Sequence, residues 1–424
     1  MICRNCKNKS FFEIIKLGNQ PISSLFPSKK MYLKKFPLSL YECNRCKLVQ
    51  LSKIPNLSDM YGENYGYKTS VSNLMVNHLK NKFIRYKNKN YFKKGSNILD
   101  IGSNDGTFLN FFINKKKKYN LYAIDPSAEN FKNDYSPKIN LAIDFFNKDK
   151  VLKLLENNKN KKFSLITSFA VFYDIENPNK FCKEINSLLE KDGVWSIEIS
   201  YFPLLISNLT YDQICHEHVT YYSLSTFNKI LKNNGMKVVD YKINEINGGS
   251  IEILCAKEKS SHKVKMKKIK ELIKEEDKIN RSKYKNFELR VNSCKKNLNL
   301  IIDGINKKDI YGYGASTKGN VILNYCKINY KKINYICDGN PSKHGKYTPG
   351  SYIKIISKEL MRKKKPKFLL VLIWSFKKEV IMQELDYIIN GGQLIFPLPS
   401  IHIVDKYNYK KYLNAKFDIF EYKN

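Results

Sequence analysis

Acidic residues, long apolar runs and histidines are all scarce in this chain of 424 residues. Its longest strongly apolar run, FLLVLIW at 368–374, falls far short of the ~18 residues that a membrane span requires. The N-terminus lacks a basic segment followed by an apolar one, the mark of a secretory leader. A cytoplasmic protein without membrane contact is expected. Asp and Glu total 39 against 75 Lys and Arg, a formal net charge of +36. The lysines stand in short runs, at 115–118 and 363–365, among many Asn, Ile and Tyr. Such a mixture reads as a composition bias with solvated lysine faces, so nucleic acid is not the expected partner. The length allows two or three domains with buried cores.

Cysteine is present where it counts. Of ten cysteines, four are paired by spacing: Cys3 with Cys6, and Cys43 with Cys46. In a cytoplasmic protein two C-x-x-C knuckles point to metal rather than to disulfides. Four thiolates converging on Zn2+ leave no position open for water, so a structural zinc is expected. The metal would supply folding energy that so short a segment cannot draw from a core of its own.

The chain is organised around ILDIGSNDGTF at 98–108. A buried strand runs into a turn at Gly102, and an apolar helix opens at Phe108. Gly106 provides a second point of close approach. Strand, glycine turn and helix put backbone N–H groups against a ligand. The spacing D-x-G-x-x-x-G departs from the dinucleotide fingerprint. It resembles the first motif of the class I S-adenosylmethionine (SAM)-dependent methyltransferases. In that reading Asp100 sets the loop and faces the cofactor's charged end, with Gly102, Ser103, Asn104 and Gly106 against the methionine moiety. The next apolar strand, 121–125, ends in Asp125, about 20 residues on, where an acid can take both ribose hydroxyls. Phe145 begins an adenine-side wall. Ser168 belongs to a fourth strand and its exit over 164–174, at the sheet edge where open α/β folds bind ligands. A helix is expected after Asn177, closed by Gly193, with a strand over 194–200. Another helix is expected from about Ser70, and the preceding aromatic turn with Tyr65 and Tyr67 either lines a pocket or packs over the domain.

The stretch YDQICHEHVTYYS at 211–223 packs His216, Glu217, His218, Tyr221 and Tyr222 together. An imidazole can take a proton near neutral pH, and an adjacent carboxylate can raise its basicity or act as the base itself. Tyrosine hydroxyls can donate to a developing oxyanion. No further ligand is positioned by spacing to make this a metal site. Near the C-terminal side, DIYGYGASTKGNVIL forms a second glycine turn in which Lys318 can reach phosphate. Asn247 and Gly248 form a turn that is either a plain hairpin or a substrate contact.

The zinc knuckles, the SAM turn, SFAVFYDIENP, the HEH stretch and IYGYGASTKGNVIL, in this order, resemble the sugar C-methyltransferase family. Its E-H-x-x-Y-Y-S signature falls on Glu217, His218, Tyr221, Tyr222 and Ser223. The resemblance implies methyl transfer from SAM to a ring carbon beside a ketone on a nucleotide-linked deoxysugar, with His218 or Glu217 as base. It implies that Asn247, Gly248 and Lys318 lie near the substrate. Some members carry a functional histidine after the fourth strand, where this chain has Tyr173, which leaves the substrate and the base assignment open. The expected fold is α/β: a zinc-binding module (1–62), a class I SAM-methyltransferase Rossmann-like domain (63–258), a helical connector (259–300) and a C-terminal Rossmann-like domain (301–424). The rival reading is a zinc-module RNA base methyltransferase. It calls for a short N/D-P-P-aromatic motif at the fourth strand exit, which FAVFYD does not supply. The oligomeric state is left open.

Overall fold

A computed structural model describes residues 1–56, 60, 67–113 and 118–415. The zinc-binding segment contributes strands β1 (Phe11–Pro21), β2 (Lys35–Cys43) and β3 (Val49–Leu51). The central part contributes β4 (Asn97–Ile101), β5 (Asn120–Ile124), β6 (Ile139–Ala142), β7 (Phe163–Phe169), β8 (Leu189–Ser200), β9 (Thr220–Tyr221), β10 (Met236–Asn244) and β11 (Ser250–Lys257). The C-terminal part contributes β12 (Ile310–Tyr313), β13 (Tyr335–Asp338), β14 (Lys354–Ser357), β15 (Phe368–Val371), β16 (Gln393–Phe396) and β17 (His402–Val404). The helices that matter for the site are α1 (Asn73–Asn88), α2 (Pro178–Leu188), α3 (Leu224–Asn233), α4 (Met266–Glu276), α5 (Arg281–Asp303) and α6 (Thr317–Tyr325).

Three sheets organise the molecule. The central one runs β6-β5-β4-β7-β8-β11-β10. Its pairs from β6 to β8 are parallel, and β11 is antiparallel to both β8 and β10. Parallel strands covered on both faces need continuous apolar side chains, and every residue of β4, NILDI, is buried. The C-terminal sheet, β14-β13-β12-β15-β16, is parallel, with β17 antiparallel at its edge. Both have a topological switch point beside their first strand, where loops open a crevice. The third sheet is β1-β2-β3-β9. Its last strand comes not from the N-terminal segment but from the HEH stretch, with Val49 opposite Tyr221 and Gln50 opposite Thr220.

Three local expectations are corrected. The helix expected from Ser70 starts at Asn73, capped by Ser72, whose Oγ accepts from the Met75 N–H. Thr69–Val71 instead forms a 3-10 turn, because the Ser70 N–H is taken by the Asp105 carboxylate at 2.8 Å. Gly193 does not close a helix. It lies inside β8, which begins directly after α2, and a Cβ there would stand 2.6 Å from the Phe163 carbonyl. The apolar helix after the SAM turn is a single turn, Thr107–Asn110. The charged connector is two helices, α4 and α5. The latter buries Tyr284, Phe287, Val291, Cys294, Leu298 and Ile302 at helical spacing. Among the described residues no helix is long and apolar enough to cross a membrane.

Candidate active site

A cavity of about 440 Å³ opens at the C-terminal edge of the central sheet. Its floor follows from the glycine turn. Gly102 has φ +72°, and a Cβ there would lie 2.1 Å from Val171 Cγ2, so only glycine lets the loop after β4 pass under the loop after β7. Gly106 has φ +74°, and a Cβ would meet the Tyr135 ring at 2.9 Å. The Tyr135 hydroxyl donates to the Asn104 carbonyl and bonds Ser103 Oγ, both at 2.8 Å. Asn104 carries the turn's own scaffold. Its N–H donates to Asp125 at 2.8 Å, and its Oδ1 accepts from the Thr69 N–H at 2.9 Å. Its Nδ2 donates to the Tyr67 carbonyl at 3.0 Å.

Asp100, Gly102, Ser103, Asn104, Asp125 and Phe145 all line this cavity. Gly106 shapes the turn from outside it. Ser168 is buried in β7 and accepts from Trp195 Nε1 at 2.8 Å, behind the cavity wall. Asp100 is buried and bonded by the Thr167 hydroxyl at 2.6 Å. Burial, with the nearby Asp125 charge, pushes its carboxyl up to about 7. Burial raises Asp125 as well, although Ser127 and the Asn104 N–H stabilise its charge. A half-open cleft of this size, floored by a glycine turn and flanked by two carboxyls, fits a nucleoside carrying a cationic amino acid.

Tyr173 closes the cavity on the other side. Its ring packs on His218 with centroids 4.0 Å apart and planes at 41°. His218 and Glu217 are 7% and 4% exposed and do not line the cavity themselves. Tyr173 stands between. Burial and the nearby Lys318 charge hold the His218 imidazole well below its usual proton affinity. Among the described residues its Nδ1 has no hydrogen-bond partner. Glu217 accepts from the Ser23 hydroxyl and the Ser24 N–H, each at 3.1 Å. His216 turns away. Its Nε2 meets the Phe36 carbonyl at 3.4 Å, and burial lowers its proton affinity too. The Tyr221 hydroxyl donates to the Gln213 carbonyl at 3.2 Å. Tyr222 sits in the apolar core against Phe172, its hydroxyl hydrogen-bonded with that of Thr220 at 2.9 Å, and is not brought to the cavity.

Of the expected substrate contacts, Tyr67 and Asn247 line the cavity, and Tyr65 lies outside the described residues. Gly248 packs under Trp374, where a Cβ would stand 2.4 Å from the indole. That indole donates to Asp212 at 2.8 Å. Lys318 faces inward. Burial lowers its proton affinity while the Asp212 charge opposes this. Asp212 itself is pushed up to about 6 by burial.

One group of residues was missed from sequence. Glu198 lines the cavity and stands opposite Glu252 across β8 and β11. Lys82, 1% exposed, bridges them at 2.8 and 2.9 Å. His78 adds a contact to Glu198 at 2.9 Å, and Arg85 pairs with Glu252 at 2.5 Å. Burial alone would raise Glu198, but Lys82 and His78 outweigh it and hold the carboxyl well below the usual range. The signal was there: His78, Lys82 and Arg85 fall at i, i+4 and i+7, one face of α1. A stripe of that kind ordinarily faces solvent.

At the N-terminus the Sγ atoms of Cys3, Cys6, Cys43 and Cys46 all lie within 4.8 Å of one another. Lys7 and Lys47, at φ +62° and +66°, turn the backbone after each knuckle. This closed thiolate set fits a tetrahedral structural Zn2+.

Profiles of three domain families match the chain in succession: a zinc binding domain over residues 3–61, a methyltransferase domain over residues 75–241 and a C-methyltransferase C-terminal domain over residues 245–399. The C-methyltransferase NovU of Streptomyces niveus is 24% identical over 423 residues, covering 95% of this chain and 96% of its own. Among solved structures, the plantazolicin methyltransferase BpumL, in complex with a pentazolic desmethylPZN analog and SAH, superposes with a TM-score of 0.33 at 16% identity, over 42% of this chain and 84% of its own. An S-adenosylmethionine-dependent methyltransferase from Clostridium acetobutylicum superposes with a TM-score of 0.30 at 17% identity, over 42% of this chain and 91% of its own. With zinc-binding, methyltransferase and C-methyltransferase C-terminal domains in that order, the chain belongs to the SAM-dependent C-methyltransferases.

Proposed function

We propose that this C-methyltransferase acts on a nucleotide-activated keto-deoxysugar, methylating a ring carbon beside the ketone, in the cytoplasm. The observation that carries the reading is the sequence of contacts from the glycine turn across the cavity to Tyr173 and on to His218, 4.0 Å behind it. A carbon acid beside a ketone needs a base, donors for the enolate and an electrophile held in line. The cofactor, when bound, supplies that electrophile as a sulfonium methyl. Asp100 and the turn hold its charged end, and Asp125 its ribose.

His218 or Glu217 removes the proton, which requires the Tyr173 ring to move off the line between that pair and the cavity. Burial and the Lys318 charge keep the imidazole neutral at rest and make it a weaker base than a free imidazole. The Tyr173 phenol, in the cavity wall, donates to the enolate oxygen. Asn247 and Tyr67 border the space left for the sugar, with Gly248 and Lys318 on the side of the C-terminal domain. The division into 1–62, 63–258, 259–300 and 301–424 belongs to the same reading.

The test is to incubate the enzyme with a nucleotide keto-deoxyhexose in D2O without SAM, and then with it. Exchange of the proton beside the ketone, followed by a product heavier by one methyl, is expected. Methylation without that exchange in any variant or condition would point to another substrate position. His218→Ala and Glu217→Gln should lose both reactions and still bind SAM.

A further inference from the structure

We propose that the zinc module is the positioning device for the proton-removing pair. Three of its parts converge on the HEH stretch. In the turn that follows β1, the Ser23 hydroxyl and the Ser24 N–H each take one oxygen of the Glu217 carboxylate. At the start of β2, the Phe36 carbonyl meets His216. β3 pairs with β9, and the Leu51 N–H donates to the Val219 carbonyl at 3.1 Å. The metal knuckle is tied to that pairing through Gln50, which is fully buried. Its Oε1 accepts from the Arg4 N–H at 2.9 Å and its Nε2 donates to the Ile2 carbonyl at 3.1 Å, on either side of Cys3.

The same strand reaches the cavity wall, since the Thr220 hydroxyl donates to the Tyr173 carbonyl at 3.2 Å. The C-terminal domain completes the clamp: Asn320 of α6 donates to the Ser23 carbonyl at 2.8 Å. A carboxylate gripped by two donors on a turn that is itself held from a third domain has one orientation. The zinc therefore acts at a distance, by fixing the sheet from which residues 216–221 hang. Ser23, Ser24 and Asn320 are positioning residues, acting through Glu217.

The proposal rests on the reading of Glu217 and His218 as the proton-removing pair, so its test has a substrate-free arm. Stripping the metal with a chelator should raise amide exchange in 216–222 and 172–174. Residues 98–106 should stay protected and SAM affinity unchanged. Protection of 216–222 after metal loss would overturn the proposal whatever the substrate. In the second arm, Ser23→Ala should lower kcat about ten- to a hundredfold, the range set by a hydrogen bond to a charged group. KM, zinc content and SAM affinity should hold, and Ser23→Thr should restore kcat. Wild-type kcat in Ser23→Ala would overturn the proposal, as would a loss that Thr does not rescue. Should Ser23→Ala fail to fold, Asn320→Ala stands in with the same expected split. If the wild type methylates no keto-sugar nucleotide, the substrate reading fails while the exchange arm still judges the positioning role.

Discussion

On the proposed reading of the cavity as the cofactor site, Asp100 sets its electrostatics. Its carboxyl is ordinarily near 3.8 and burial lifts it to about 7. The folded state therefore keeps this proton longer than the unfolded chain, so the group's contribution to stability falls as pH rises from 3.8 towards 7. A cationic ligand beside it reverses the preference. SAM should bind up to about tenfold more tightly at about pH 8 than at about pH 6, following the ionised fraction. Asp100→Asn should flatten that dependence, and titration calorimetry at the two pH values checks it.

Lys82 is the structural counterpart. Without it Glu198 and Glu252 face each other across paired strands, both buried. Lys82→Met should cost about 3–5 kcal/mol, the range for breaking a buried ion pair, measured by urea unfolding. The motif gave Asp100 the cofactor's charged end as an expectation, but neither its raised carboxyl nor the Lys82 bridge was readable in advance. A carboxyl's burial depends on what covers it, and the charges at 78, 82 and 85 look like a solvated helix face until β8 and β11 bring acids to them.

At the scale of elements, the glycine turn was the most legible feature. A buried strand of three apolar residues and one acid, a glycine at positive φ and a second glycine four positions on are local properties, and the structure puts Gly102 where they require it. Gly102→Ala adds a Cβ that must displace Val171, on top of about 1–2 kcal/mol for a left-handed residue. SAM affinity should drop sharply while the chain stays folded, and calorimetry with circular dichroism separates the two. The four cysteines were legible for the same reason, because each knuckle is a short-range motif. The pairing of β3 with β9 was not. It is a two-residue contact between segments some 170 residues apart, and no periodicity marks a strand so short. Helix ends were misread wherever a tertiary bond took the cap, as Asp105 does at Ser70.

For the whole molecule, the order of zinc segment, methyltransferase sheet and second α/β sheet could be read from motifs strung along the chain. How they fold onto one another could not. The HEH stretch lies where all three meet: Glu217 on Ser23 and Ser24, His218 on Tyr173, and Lys318 reaching in from α6. Tyr222, which its motif put beside the chemistry, went instead into the core with Phe172 and Phe227.

The most direct test of the account is to supply SAM carrying a carbon-13 methyl together with a nucleotide keto-deoxyhexose and to locate the label by NMR. The methyl is expected on the ring carbon next to the ketone, bonded carbon to carbon. A label on oxygen or nitrogen, or on no position of the sugar, would contradict it.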